Sequence, residues 1–214
     1  MPPFSSWRSF SKDCDALASV KLSNKLEEIG HYAFGYCTAL FSVVIPNSVT
    51  SMSDSFSGCT GLTSVTLSNN LKSVGGFAGC SSLTAIEIPE GVETIDGGAF
   101  SRCGNLSLIK MPSTITFVDM NAFQSCRNLR NIHIADIGKW CQITYSSFSN
   151  ASLPFAASYE GHLFLNNEEI TDVEIPEGVT SISGNAFRYC TNITSVKIPN
   201  SVTKIGEQAF ANCI

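Results

Sequence analysis

Apolar residues recur along this chain in one fixed order. In residues 80–100 the order is Cys80, Leu83, Ile86, Ile88, Val92, Ile95 and Phe100, with Pro89 following Ile88. It returns after Cys103 as Leu106, Ile109, Met111, Ile115, Val118 and Phe123, and after Cys190 as Ile193, Val196, Ile198, Val202, Ile205 and Phe210. Cys14, Cys37 and Cys59 each open an earlier copy. In the V-x-I segment two apolar side chains share one face of a strand. The proline after it lacks an N–H and ends the ladder. Two apolar positions spaced by three turn the chain inward again, and the A-F pair closes the far side in a short helical or irregular turn. One such unit cannot bury its apolar set alone, whereas stacked copies cover one another.

The cysteines set the period. Those at 14, 37, 59, 80, 103, 126, 190 and 213 are separated by 23, 22, 21, 23, 23, 64 and 23 residues. Helix-pair repeats need roughly 33 residues or more, so a β-rich solenoid is predicted. Inside the long step the frame runs through Leu129, Ile132 and Ile134, then resumes with Trp140, Ile143 and Phe148. Ala151 and Asn167 stand where cysteines belong. Residues 135–167 form the irregular segment. Its run H-L-F-L-N-N-E-E-I predicts a hairpin turning at Asn166-Asn167, projecting from or thickening one edge of the stack. Residues 1–13 are expected to be an N-terminal extension or partial cap, and 14–214 one solenoid domain. With no polar cap in the pattern, the chain is expected to be a piece of a longer array or to be capped elsewhere.

Composition narrows the functional classes. Of 214 residues 43% are hydrophobic and 14% charged, enough to fill a core. A net charge of -5 argues against a nucleic-acid partner, which needs a basic footprint. No apolar run reaches the length of a membrane span, and no secretion signal is visible at the start. No C-x-x-C pair or calcium-loop spacing points to a metal, and no cofactor motif occurs.

The pattern L-x-x-V-x-I-P-x-x-V-x-x-I-x-x-x-A-F-x-x-C resembles the BspA-type leucine-rich repeat. The resemblance covers roughly residues 14–213, with phenylalanines at 34, 56, 77, 100, 123, 148, 187 and 210 in frame with the cysteines. The W-C-x-I stretch before the hairpin is similar to an irregular unit found inside such arrays. The resemblance implies fold class α/β, β-rich: a right-handed leucine-rich-repeat solenoid with a parallel sheet on its concave face, here of about eight to nine coils. It also implies a secreted or cell-surface protein of bacteria or some protozoa, acting in adhesion and protein binding. The family shares no catalytic residues.

Candidate chemistry is sparse. A strand spacing of about 4.8 Å is compatible with disulfides along the cysteine column. Ala151 and Asn167 replace the column without breaking the frame, which favours a small buried hydrophobe there. Cys141 lies off the column beside the inward Trp140, so it is expected to point outward; a reactive thiol would need a lowered pKa, and Lys139 is the only local cation. The histidines, His31, His133 and His162, fall in different repeats and suggest no triad. The sequons at Asn105, Asn150 and Asn192 are expected from chance in a chain rich in Ser, Thr and Asn.

The sheet face offers more. One outward column reads Lys21, Val44, Thr66, Glu87, Lys110, His133, Glu174, Lys197; the other reads Ser19, Ser42, Ser64, Ala85, Leu108, Asn131, Asp172, Ser195. Glu87, Leu108, Lys110, Asn131 and His133 would form a mixed patch beside the irregular segment. That predicts a non-enzymatic module binding protein or glycan, host- or matrix-derived, without membrane insertion. End-to-end self-association through open edges is a further expectation. The alternative is a structural spacer array presenting another domain, with the sheet face merely solvated.

Overall fold

The structure, a computed structural model, describes residues 14–146, 154–155, 158 and 160–213. They form a β-rich solenoid of about seven turns, built from parallel ladders and almost no helix. Each turn carries two short strands. The V-x-I segments make the principal ladder. Ala85–Glu87, Leu108–Met111, Asn131–Ile134 and His162–Leu165 pair in parallel, and Glu168–Glu169 folds back antiparallel as the fifth strand. Ser42–Val44 with Ser64–Thr66, and Asp172–Glu174 with Ser195–Lys197, form parallel pairs to either side in the sequence. The V-x-x-I segments make the second ladder: Ser73–Val74, Thr94–Ile95, Phe117–Val118 and Thr144–Tyr145 stack in register. The register follows the repeat, placing Ile86 on Ile109, Ile109 on Ile132 and Ile132 on Leu163.

Two columns explain the repeat's conserved spacing within this chain. Phe34, Phe56, Phe77, Phe100 and Phe123 stack face to face, with ring centroids 5.1 to 6.0 Å apart and planes within 10°. Offset stacking of this kind adds to the burial of each ring. Phe187 and Phe210 continue the arrangement at 5.1 Å. Phe148, expected in the same column, lies outside the described residues.

The second column is the cysteines, all free thiols. The thiol of Cys80 donates to the Phe56 carbonyl at 3.3 Å, that of Cys103 to Phe77 at 3.1 Å and that of Cys126 to Phe100 at 3.0 Å. Each of these carbonyls also accepts the backbone N–H of the cysteine in its own turn. Cysteine therefore supplies what alanine cannot: a small buried donor that ties one turn to the next.

The residue before each of these cysteines is left-handed, as at Gly79 (φ 75°), Arg102 (φ 62°) and Ser125 (φ 62°). A tight reversal at that point brings the chain back beneath the preceding turn.

Candidate functional site

Three of the five sequence-predicted residues meet in one place. In the outward row, Glu87 pairs in register with Lys110, and Lys110 with His133. The Lys110 ammonium lies 3.1 Å from the Glu87 carboxylate. Both side chains are largely exposed, so the pair contributes little to stability. Leu108 and Asn131 occupy the neighbouring row with Ala85. They are half-buried and do not line the groove described next.

The irregular segment completes the site. His162–Leu165 and Glu168–Glu169 form the predicted hairpin, with Asn166 (φ 54°) and Asn167 (φ 67°) both left-handed at its tip. Two left-handed residues in a two-residue loop are what a right-twisted hairpin requires, and asparagine tolerates that conformation better than most residues. The hairpin docks as the next strand of the principal ladder, so Phe164, not Glu174, stands beside His133. That corrects the outward column at its irregular point: H-L-F-L, not the V-x-I segment after it, continues the sheet. The His133 ring stacks on Phe164 at 4.6 Å, and its Nδ1 lies 3.0 Å from the Asn167 amide oxygen. An amide oxygen only accepts, so Nδ1 is the donor in this contact.

Beside this contact lies an open groove of about 220 Å3. Its apolar floor includes Ile88, Met111 and Ile134, and Glu87, Lys110, His133, Asn166 and Asn167 stand around it. A narrow cleft adjoins it, sharing Met111, Pro112, Ile134 and Ala135 as a common wall. Trp140 lines the cleft; it is 3% exposed, and its indole N–H has no hydrogen-bond partner. It sits on the short helix Ile137–Trp140, capped by the Asp136 carboxylate, which accepts the Lys139 N–H at 2.8 Å.

Beyond the tip, the hairpin carries a charged edge. His162 Nδ1 lies 2.5 Å from a Glu169 oxygen, and Arg130 pairs with Glu160. Sequence reasoning missed Phe164, Asn166, Asn167 and His162 as site residues. The alternation around the N-N turn marked their strand, but their partner in the sheet was not readable from a column that skips them.

Cys141 does not point outward. It is fully buried, and burial, with the Asp136 charge adding to it, pushes its thiol up to about 12. The helix that replaces the regular turn rotates both Trp140 and Cys141 into the core. A buried thiol of this kind is unsuited to nucleophilic chemistry. Of the sequons, Asn192 donates its side-chain amide to the Ile170 carbonyl at 2.7 Å, and Asn150 lies outside the described residues. Among the described residues no cluster of His, Cys, Asp or Glu could hold a metal ion, and no helix is long and apolar enough to cross a membrane.

Strand-plus-turn units, stacked phenylalanines and a cysteine ladder define the repeat, and the family model for the BspA type leucine rich repeat region matches six copies over residues 7–130, 53–158 and 158–214. The chain belongs to the BspA-type leucine-rich repeat family. Among solved structures, a leucine rich cell surface protein from Faecalibacterium prausnitzii shares 34% identity over 62% of this chain, with a TM-score of 0.57. This chain spans 36% of that protein's length. The T. pallidum leucine rich repeat protein is 22% identical over 88% of this chain and 70% of its own, with a TM-score of 0.51, and supports the fold. No curated protein sequence matches the chain. Family members and these neighbours are repeat proteins, a fold that commonly serves protein interaction.

Proposed function

We propose that this chain is a non-enzymatic, adhesion-type binding module of a secreted or cell-surface protein, engaging an extracellular protein or glycan, host- or matrix-derived, through the groove. The observation that carries the reading is the hairpin. It interrupts the regular array where the Glu87–Lys110–His133 row is most varied, and it converts a flat sheet face into a walled one. Ligand sites favour concave surfaces with a few convergent polar groups. The described residues offer buried high-pKa thiols and separated histidines, which suits binding better than catalysis. The Faecalibacterium neighbour is described as a cell surface protein, which supports that localisation. The family resemblance further supports a right-handed array with the groove on its concave side, and a count of eight to nine coils once the hairpin and edge units are included.

The spacer alternative has one observation in its favour. Lys197 and Glu174 pair at 2.5 Å just as Lys110 and Glu87 do, so much of the sheet face is neutralised internally. A binding screen separates the readings. The chain is tested against purified extracellular matrix proteins and glycans, then retested as the double variant Lys110→Glu, His133→Ala. The binding-module reading expects at least one ligand to be lost with the melting temperature unchanged. Ligands retained at full affinity would place binding elsewhere, and no ligand at all would favour the spacer.

A further inference from the structure

The cysteine column changes character at Cys14 and Cys37. From Cys59 to Cys126 each thiol donates to the carbonyl of an earlier phenylalanine, at 2.9 to 3.3 Å. Cys37 does otherwise: its thiol hydrogen-bonds the side chain of Cys14, sulfur to sulfur. The backbone holds the two residues in register. They are 23 positions apart, and the same step joins the residues that follow them. The Thr38 hydroxyl donates to the Asp15 carboxylate at 3.3 Å, the Phe41 N–H to the Ala18 carbonyl at 3.3 Å, and Ser42 bridges Ser19 in parallel. In-register residues on stacked strands lie about 4.8 Å apart, inside the Cα range of roughly 4.4–6.8 Å that a disulfide spans.

Access separates this pair from the rest of the column. Cys14 is partly exposed, whereas Cys37, Cys59, Cys80, Cys103 and Cys126 are fully buried. An oxidant from solvent therefore meets Cys14 first, and Cys37 is the thiol already in contact with it. Cys213 is also partly exposed, but its thiol donates to the Phe187 carbonyl at 3.0 Å and its hydrogen bond with Cys190 is to the backbone. It has exposure without a sulfur partner.

We propose that Cys14 and Cys37 are a redox-active pair, which a low-molecular-weight disulfide such as oxidised glutathione converts to a disulfide that fastens the turn opened by Cys14 to the turn opened by Cys37. In the first step the Cys14 thiol gives its proton to solvent and its sulfur attacks one sulfur of the oxidant. A mixed disulfide forms on Cys14, and the released glutathione thiolate takes up a proton. In the second step the Cys37 thiol loses its proton and its sulfur displaces the remaining glutathione from Cys14. Two protein thiols are oxidised to one disulfide, and one glutathione disulfide is reduced to two glutathiones. Burial holds the Cys37 proton on, so the second step is the slow one and quickens as pH rises. The chemistry needs no ligand in the groove. Only its natural setting, an oxidising extracellular space, rests on the proposed surface or secreted function.

The full chain, reduced and then freed of reductant, is incubated under native conditions with oxidised glutathione, alkylated, digested and mapped by mass spectrometry. The expected result is one intramolecular disulfide joining the Cys14 and Cys37 peptides, with seven of the nine thiols still reduced. The strands Glu28–Ile29 and Ser51–Met52 pair one turn with the next. Their amide exchange should slow about a hundredfold on oxidation, the effect of a native disulfide on local opening. Cys14→Ser changes one partly exposed sulfur to oxygen and keeps the fold, as its melting curve checks, and it should lose both the bridge and the slowing. Nine free thiols after oxidation overturn the proposal. So does glutathione retained on Cys14 without transfer to Cys37, or a bridge between any other pair, two Cys14 residues of different chains included. The groove stands or falls separately, in the binding screen, where Cys14→Ser should bind as the parent does.

Discussion

His133 Nδ1 lies 3.0 Å from Asn167 Oδ1, joining the middle of the sheet to the tip of a hairpin 34 residues later. This contact holds the hairpin tip, one wall of the groove, against the Glu87–Lys110–His133 row. Asn167→Gly should keep the turn, because glycine takes φ 67° without strain. We expect a stability change below about 1 kcal/mol, the range of a solvent-accessible hydrogen bond. Ligand binding at the groove should nonetheless weaken. Thermal denaturation paired with titration of the Asn167→Gly chain by a ligand from the binding screen checks both halves.

The phenylalanine stack carries the fold. Phe100 is fully buried between Phe77 and Phe123, at 6.0 and 5.8 Å. Phe100→Ala should cost about 3–5 kcal/mol, the range for truncating a core aromatic. The break should be felt by both neighbouring turns, since each turn of a solenoid leans on the next. Urea unfolding of the variant against the parent measures it.

Much of this was readable from residue order alone. The positions of Leu83, Ile86, Val92, Ile95 and Phe100 dictate a turn of two inward segments, and repetition dictates stacking, because no single copy can bury its apolar face. The hairpin was also legible, through alternation around Asn166-Asn167. What a column of aligned positions could not show is that a broken copy still contributes a strand. Phe164 and His162 stand in the sheet through pairing with Asn131–Ile134, a tertiary choice with no counterpart in the repeat frame. Cys141 failed for a related reason: adjacency to an inward residue implies outward only on a strand, and residues 137–140 are helical.

The thiol column predicts alkaline lability. Burial raises Cys59 to about 11 and Cys126 to about 12, against 9.0 for an ordinary thiol. The folded chain thus holds protons that the unfolded chain releases above pH 9. Stability from these groups is complete below pH 9 and is lost as pH rises from 9 toward 11–12. The loss approaches about 1.4 kcal/mol per pH unit for each thiol. Urea midpoints measured from pH 7 to 10.5 should fall only above pH 9, and thiol-reactive dye at pH 7.5 should label the native column slowly and the unfolded chain at once.

Gly161 sets the approach to the hairpin. A Cβ there would stand 2.3 Å from the ring of Phe155, which is itself buried. Gly161→Val should force Phe155 aside at a cost of about 1–3 kcal/mol, as overpacking does. The strand His162–Leu165 should lose protection first. Amide hydrogen exchange, compared with the Leu108–Met111 strand of the same sample, reads this directly.

The central claim is that the hairpin and the Glu87–Lys110–His133 row together make the binding surface of this repeat array. Hydrogen exchange on the chain saturated with the tightest ligand from the binding screen tests it most directly. The account predicts slowed exchange at residues 87–90, 110–112, 133–135 and 166–167, with the turns around Phe100 and Phe123 unchanged. Protection confined to those turns, or to the strands Ser195–Lys197 and Lys204–Ile205, would contradict it.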